Sequence, residues 1–600
     1  MKLSDYLASF LAKKGIQYVF QIIGGASAHM VHSIAAAKGI DFICFQHEQA
    51  AAMAAESYSR TTKNLGCAMA TSGPGMTNLI TGICCAYFDS IPTIYITGQV
   101  NTSELRKGKK VRQIGFQETD IVEMVKPITK FAVQITDPND IELILETAVY
   151  IAKSGRPGPV LVDIPMNIQH AQIDPKKLKR FTPADIIHDV DSKASVNKNI
   201  QKAMRLILKA ERPVVIAGGG IRYADLTNEF EKLVDLLGIP VVATWSGIDT
   251  LYHDHPLYIG QIGVYGNRGA NFTVQNSDCI VSLGSRLDTR ITGGRPETFA
   301  REAKKIVVDI DRSEIFKGRG LTPDVAICSD LRIIIPKVIS FLKNNKRWEN
   351  DSWIKKTILW KKRYPAVLDE WRLHKDNVNP YFFIETLADV ISEKATIITD
   401  CGGNLTWTIQ AFKVKRGQRL FSAMGNSPMG YALAASIGAS FGLGKKEVIC
   451  IMGDGGMQLN IQELQTIKYY NLPIKVFILN SRSYAIIMQF QEVYFESNFL
   501  ATQSNSGYSA PDFVKVAKAY GLQAKKIDNH HNLRRKIKEA LSIKGPVICD
   551  VWVPENAKLI PKLTARRVGE KYIQSPIEDM TPFLPREEFL KNMIIAPLEE

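Results

Sequence analysis

The sequence predicts an α/β protein built from three doubly wound, parallel-sheet domains. Three observations lead there. The chain has 600 residues, too many for one hydrophobic core at the usual ~100–200 residues per domain. Short, wholly apolar runs alternate with amphipathic stretches along its length, the pattern of parallel strands covered on both faces by helices. Nearly every apolar run ends in Gly, Asn, Asp or Ser, and ligands of such sheets bind beyond the carboxyl ends of the strands.

Taken in order, the opening "MKLSDYLASFLAKKGI" has helical apolar spacing, and Asp5 lies too early for a signal peptide. Strands are predicted at 65–73, 213–220, 279–285, 305–311, 395–403, 448–455 and 474–480. The stretch 79–100, "LITGICCAYFDSIPTIYITGQV", is interrupted by Asp89 and Pro92 and reads as helix, turn and strand rather than a membrane span. Polar segments at 170–198 and 342–380 read as linkers. The expected units are 1–172, 195–342 and 375–556, followed by an extension at 557–600.

The composition narrows the function. Nine cysteines without a CxxC pair suggest reduced, buried thiols and a cytoplasmic protein, not a zinc site or a disulfide framework. The net charge of +15 is spread along the chain. Its densest cluster, "RKGKKVR" at 106–112, has no interleaved aromatics, which argues against a nucleic-acid groove. No membrane anchor is expected either: the final "FLKNMIIAPLEE" is short and ends acidic.

The motif carrying most chemistry is "GDGGMQLNIQELQT" (453–466), flanked by strands and followed by Asn480-Ser481. A right-handed strand–helix–strand crossover brings Asp454 and residues 480–483 to one sheet edge. A hard divalent ion such as Mg²⁺ takes oxygen ligands and often shares phosphate. Gly453, Gly455 and Gly456 allow close backbone approach, and a helix starting near 457 would aim its N-terminus at an anion. This chemistry suits a nucleotide, a flavin or thiamine diphosphate (ThDP). A second candidate is Glu48 in "FQHEQAAAMAAESYSR" (45–60), whose small apolar surroundings start a buried helix; a buried carboxylate needs a partner.

The spacing from GDG to Asn480 resembles the ThDP motif. With "GGAS" (24–27), "TSGPGMTN" (71–78), "GFQETDIV" (115–122), "GRPGPVLVDIP" (155–165), "LGSRLDTRITG" (283–293) and "MGYALAASIGAS" (429–440), about 550 of the 600 residues resemble acetolactate synthase catalytic subunits. The resemblance implies pyrimidine-binding, central and diphosphate-binding domains. It places Asp454, Ser481 and the Ser483 carbonyl on Mg²⁺, and Gly453, Asp454, Gly455, Gly456, Ser483 and Asn404 at the diphosphate. Met429 would prop the bent cofactor, and Thr71 and Asn78 would line its site. Glu48 would face the aminopyrimidine, with Gly25, Phe116 and Gln117 as active-site neighbours across the interface of a homodimer. His47 has no assigned role and reads as structural. FAD would be held near Arg156, Arg286 and Arg290, and Arg290 would also meet the carboxylate of a second oxo acid. The implied reaction is decarboxylation of pyruvate and transfer of its two-carbon unit to a carbonyl acceptor.

Four features depart from the synthase pattern. Ser481 replaces the usual carboxamide ligand. Met166 replaces Lys, Phe490 replaces a Trp beside the acceptor, and Asn404-Leu405 replace His-Gln. The tail 562–600 is additional and resembles that of relatives acting on surface-polysaccharide sugars. A nucleotide-linked keto-sugar is therefore an alternative acceptor, with the loop 106–112 near its diphosphate. A plain 2-oxo acid decarboxylase or flavin oxidase, and a non-catalytic subunit of the same fold, are further readings.

Overall fold

A computed structural model describes residues 1–183, 189–345, 348–373, 376–568 and 570–598. Parts of both predicted linkers (184–188, 346–347 and 374–375), the predicted domain start at 375 and the last two residues of the predicted acidic end lie outside the described residues.

Three six-stranded parallel sheets form the frame. The first holds β1 (Tyr18–Gln21), β2 (Asp41–Cys44), β3 (Gly66–Ala70), β4 (Thr93–Gln99), β5 (Phe131–Gln134) and β6 (Pro159–Pro165) in the order β2-β1-β3-β4-β6-β5. The second holds β7 (Pro213–Ala217), β8 (Val241–Ala243), β9 (Tyr258–Gln261), β10 (Cys279–Leu283), β11 (Lys304–Asp309) and β12 (Val325–Cys328), ordered β12-β11-β10-β7-β8-β9. The third holds β13 (Thr396–Thr399), β14 (Arg419–Phe421), β15 (Val448–Gly453), β16 (Ile474–Asn480), β17 (Gln523–Ile527) and β18 (Val547–Trp552), ordered β14-β13-β15-β16-β18-β17.

The first and third sheets repeat one connectivity. The second has the dinucleotide-fold order, which reverses between β7 and β10 and opens a crevice there. The predicted strands all form, each ending within a few residues of its Gly, Asn or Asp. They are apolar because helices cover both faces: β3, β4, β6, β7, β10 and β16 are buried at every residue. All nine cysteines are free. Among the described residues no helix is long and apolar enough to cross a membrane.

Two features lie outside the sequence reading. The tail contributes an antiparallel hairpin, β19 (Ala565–Val568) and β20 (Lys571–Gln574), and then packs on the second sheet's core. Leu563, Ile577, Met580 and Phe589 are buried in that core. Arg268 donates to the carbonyls of Met580 (3.1 Å) and Pro582 (2.7 Å), and Trp360 Nε1 donates to Asn592 Oδ1 (2.8 Å).

The second feature is a buried charge network. Helix Glu48–Thr62 packs along helix Tyr431–Gly442 of the third unit. Arg60 donates to Glu56 (2.6 Å) and Asp89 (2.5 Å), and Tyr431 donates to Glu56 (2.5 Å). Asp89 accepts the backbone N–H groups of Met424 and Gly425, both at 2.8 Å, and Arg60 also reaches the Tyr223 hydroxyl at 3.3 Å. One guanidinium thus ties all three units. Removing one partner of such a set leaves the others buried and unpaired. Arg60→Met is expected to destabilise the fold by about 3–5 kcal/mol, read as a lowered first transition in denaturant unfolding.

Candidate active site

Around Glu48, the strand-end turns of the first sheet converge. His47 Nδ1 accepts the Gln49 N–H at 3.1 Å and caps the helix that Glu48 opens. That contact gives the His47 side chain a capping role. Glu48 is 9% exposed, and its Oε2 accepts from Asn78 Nδ2 at 3.0 Å. Its Oε1 takes no hydrogen bond among the described residues and lies where a side chain on Gly75 would point. Thr71 Oγ1 accepts the Ala26 N–H at 3.1 Å, which holds the Gly24-Gly25 turn beside it. Gln117, with φ of +63°, packs against Gly73. Phe116 is 84% exposed. The structure therefore brings Gly25, Glu48, Thr71, Asn78 and Gln117 to one edge, with Phe116 facing outward.

The second group lies beyond β13, β15 and β16. β15 pairs with β16 so that Gly453 faces Leu479, and Asp454 follows directly. The helix begins at Asp454 and not near 457 as expected: it runs Asp454–Leu459, breaks at Asn460, and resumes at Glu463–Tyr469. The break has a cause, since Asn460 turns its Nδ2 to the Gly430 carbonyl at 2.9 Å. Asp454 is buried, and its Oδ2 has no hydrogen-bond partner. Burial raises its carboxyl to about 6, against the opposing influence of the nearby Tyr508 hydroxyl and of backbone N–H groups that include Gly455 and Arg482.

Ser481 Oγ donates to the Ser483 carbonyl at 2.8 Å. Two adjacent oxygens of an octahedral Mg²⁺ shell with 2.0–2.1 Å bonds lie ~2.9 Å apart. The serine pair already has that spacing. Asn480 is spent elsewhere, donating to Asp550 (2.9 Å) and accepting from the Arg482 N–H (3.1 Å).

The glycines shape the floor. A Cβ at Gly455 would press on Tyr484 and Met429, and one at Gly456 would overlap the Asp400 carboxylate. Asp400 in turn accepts the N–H groups of Gly430 (3.0 Å) and Ala432 (2.9 Å), fixing the turn that carries Met429. Burial pushes Asp400 up to about 6 despite those bonds. Asn404 lies in the same region, but its side chain is engaged by Thr399, the Asp400 N–H and the Cys401 carbonyl. Among the described residues no group of three or more His, Cys, Asp or Glu could hold a metal. A cation at Asp454 would depend on neutral oxygens and phosphate, as Mg²⁺ commonly does.

The arginines lie elsewhere, around a cavity at the β7/β10 crevice. Arg156, Arg286 and Arg290 line it with Gly219, Gly220, Ser285, Asp309 and Met424. Side chains are excluded where backbones meet: a Cβ at Gly218 would overlap the Gly284 carbonyl. Arg156 is held by Asp311 (3.0 Å), Glu314 (2.8 Å) and Ser90 (2.8 Å). Arg290 lies over the rings of Trp245 (5.8 Å) and Tyr265 (5.7 Å) and has no carboxylate partner among the described residues. Phe490 is 48% exposed and packs tilted against Tyr494, ring centroids 4.4 Å apart, while Met166 opens the short helix after β6.

Some of these residues escape sequence reasoning. Asp400 and Tyr484 carry no motif. Glu463 lies inside one, yet only the fold shows that its buried carboxylate accepts the Gln46 N–H at 3.1 Å, two residues before Glu48.

Comparison with known proteins agrees with this geometry. Residues 1–124 match the N-terminal TPP binding domain of thiamine pyrophosphate enzymes, 200–338 the central domain, and 400–551 the C-terminal TPP binding domain. The chain is 34% identical to the acetolactate synthase large subunit of Cyanidium caldarium, over 93% of its own length and 94% of the relative's. It is 34% identical to the chloroplastic acetolactate synthase 1 of Zea mays, over 93% and 86%. A probable acetolactate synthase large subunit of Methanococcus aeolicus is 35% identical over 86% of each chain. With three matching domains in order and relatives aligned nearly end to end, the chain belongs to the thiamine pyrophosphate enzyme family.

Proposed function

We propose that the protein is a ThDP- and Mg²⁺-dependent carboligase of the acetolactate synthase type. It releases CO₂ from pyruvate and joins the remaining two carbons to the carbonyl of a second pyruvate, giving 2-acetolactate. One observation carries the cofactor reading: the buried, unpartnered oxygen of Asp454 stands beside a serine pair spaced like an octahedral edge. The relatives named acetolactate synthase support the acceptor.

When bound, ThDP supplies the electron sink that decarboxylation of a 2-oxo acid requires. Asp454, Ser481 and the Ser483 carbonyl would hold Mg²⁺, with Gly453, Gly455 and Gly456 leaving room for the diphosphate. Glu48 Oε1 would hold the proton shared with the pyrimidine ring, while Asn78 keeps the other oxygen occupied. Met429 would support the cofactor's bend from the Asp400-anchored turn. Arg290, seated on two aromatic rings, would receive the acceptor's carboxylate, a match that guanidinium geometry favours. Phe490 and Met166 would bound the acceptor space, and Gln117 and Phe116 the donor side.

The working site is taken to combine Glu48 of one copy with Asp454 of another. Exposed apolar side chains beside each group, Phe116 and Ile23 on one and Leu459 and Phe490 on the other, support a homodimer. The central crevice is assigned to FAD. Its β7/β10 switch point and Gly218–Gly220 turn support an adenosine diphosphate portion, and Asp309 at the end of β11 suits a ribose hydroxyl. Carboligation of two pyruvates is redox-balanced, so the flavin has no required electron role. The unit boundaries 1–172, 195–342 and 375–556 belong to the same reading, with the tail packed on the central unit.

The test is product analysis with ThDP, Mg²⁺ and pyruvate. Acetolactate at half the molar yield of pyruvate consumed is expected. Acetaldehyde alone would indicate a plain decarboxylase, and turnover only after a keto-sugar nucleotide is added would replace the acceptor. A flavin spectrum released on denaturation is expected; its absence would overturn the FAD assignment.

A further inference from the structure

The phenol of Tyr508 is buried beside Asp454 and has no place in the reaction as described above. Tyr508 belongs to the segment that crosses back over the ends of β15 and β16. Its ring packs on Tyr484 with centroids 4.3 Å apart. The bonds that tie the segment down include the Tyr484 N–H to the Thr502 carbonyl (2.8 Å) and Gln458 Nε2 to the Ser509 carbonyl (3.2 Å).

Two polar atoms there are buried without a well-formed hydrogen bond, Asp454 Oδ2 and Tyr508 Oη. The two side chains nevertheless lie within reach of each other, and Gln458 lies within reach of the phenol. Leaving a buried hydroxyl or carboxylate oxygen unsatisfied is costly. A hydrogen bond between the two would satisfy both atoms at once. Arg482, the neighbouring cation, is turned away over the Trp552 ring at 4.5 Å and leaves that role open.

We propose that Tyr508 is a positioning residue for the divalent cation: its hydroxyl donates to Asp454 Oδ2 and leaves Oδ1 directed at the metal. The inference rests on reading Asp454 as the carboxylate of the cation site. It also accounts for the shortened ligand. Ser481 offers an oxygen on a shorter arm than a carboxamide would. A carboxylate pinned through one oxygen gives up less torsional freedom on binding, which offsets the weaker partner. Ligating carboxylates are commonly held in this way, and losing the holding group costs ~10–100-fold in metal affinity.

The test uses Tyr508→Phe, which keeps the ring stacked on Tyr484. Mg²⁺ is titrated into the full-length chain with ThDP present, and cofactor binding is followed by quenching of tryptophan fluorescence. The expected result is a ~10–100-fold rise in the apparent Kd for Mg²⁺, with ThDP affinity at saturating Mg²⁺ unchanged. Adding Ser481→Asn to the same background restores a longer oxygen ligand and should recover most of the loss. Wild-type Mg²⁺ affinity in Tyr508→Phe would overturn the proposal, as would no recovery on adding Ser481→Asn. Asp454→Asn separates the two readings. If that variant keeps wild-type Mg²⁺ affinity, the cation site itself is misplaced, whatever Tyr508 does.

Discussion

Glu48→Gln is expected to lower pyruvate turnover by ~10²–10⁴-fold, the usual worth of a positioned proton-transfer group, while ThDP and Mg²⁺ still bind. Glu48 is the first residue of its helix and is nearly enclosed, with Asn78 on Oε2 and Oε1 open. Glutamine has the same shape. Its carbonyl can keep the Asn78 bond, and its NH₂ can still donate to a ring nitrogen, so the binding surface survives. It cannot take up or return a proton at that atom. Steady-state turnover paired with fluorescence titration of ThDP separates these effects. Loss of binding in parallel with turnover would make Glu48 a structural residue. Unchanged turnover would remove it from catalysis and revive a non-catalytic reading of the chain.

Asp454→Ala is expected to abolish cofactor loading and activity together. Asp454 is the carboxylate at the serine pair, and neutral oxygens alone compete poorly with water for Mg²⁺. The loss of Mg²⁺ affinity should exceed the ~100-fold that an outer hydrogen-bond partner can cost. Because Asp454 is buried, with an unsatisfied Oδ2 and a raised carboxyl pKa, the metal-free protein should not be destabilised by the change. Equilibrium dialysis with ThDP and Mg²⁺, alongside melting curves without them, checks both halves. Wild-type loading in Asp454→Ala would move the cation elsewhere.

Much of this is legible in the sequence because the strands of a covered parallel sheet are apolar along their length and stop at polar residues. The runs at 448–455 and 474–480 show both the sheet edge and the convergence of Asp454 with residues 480–483. The helix start reads three residues late because apolar spacing detects the buried face, whereas Asp454, Gly455 and Gly456 begin the helix as small or polar residues facing the site. The kink at Asn460 depends on a bond to Gly430, thirty residues earlier, and local periodicity carries no trace of it.

Contacts between units are the least legible. Arg60 lies within the stretch 45–60, but its neighbours Asp89, Tyr223 and the Phe421 ring come from all three units. Only the packing of helix Glu48–Thr62 against helix Tyr431–Gly442 shows that a guanidinium is buried there. Tyr508 lies far along the chain from Asp454 and belongs to no motif. The tail reads as an addition because the synthase resemblance does not extend over it, yet Ile577, Met580 and Phe589 are buried in the core of the second sheet.

The most direct measurement is release of labelled CO₂ from [1-¹⁴C]pyruvate by the purified full-length chain, with and without ThDP and Mg²⁺. The account predicts release that requires both and disappears in Glu48→Gln. Release that ignores ThDP, or none with both cofactors present and either pyruvate or a keto-sugar nucleotide as acceptor, would contradict it.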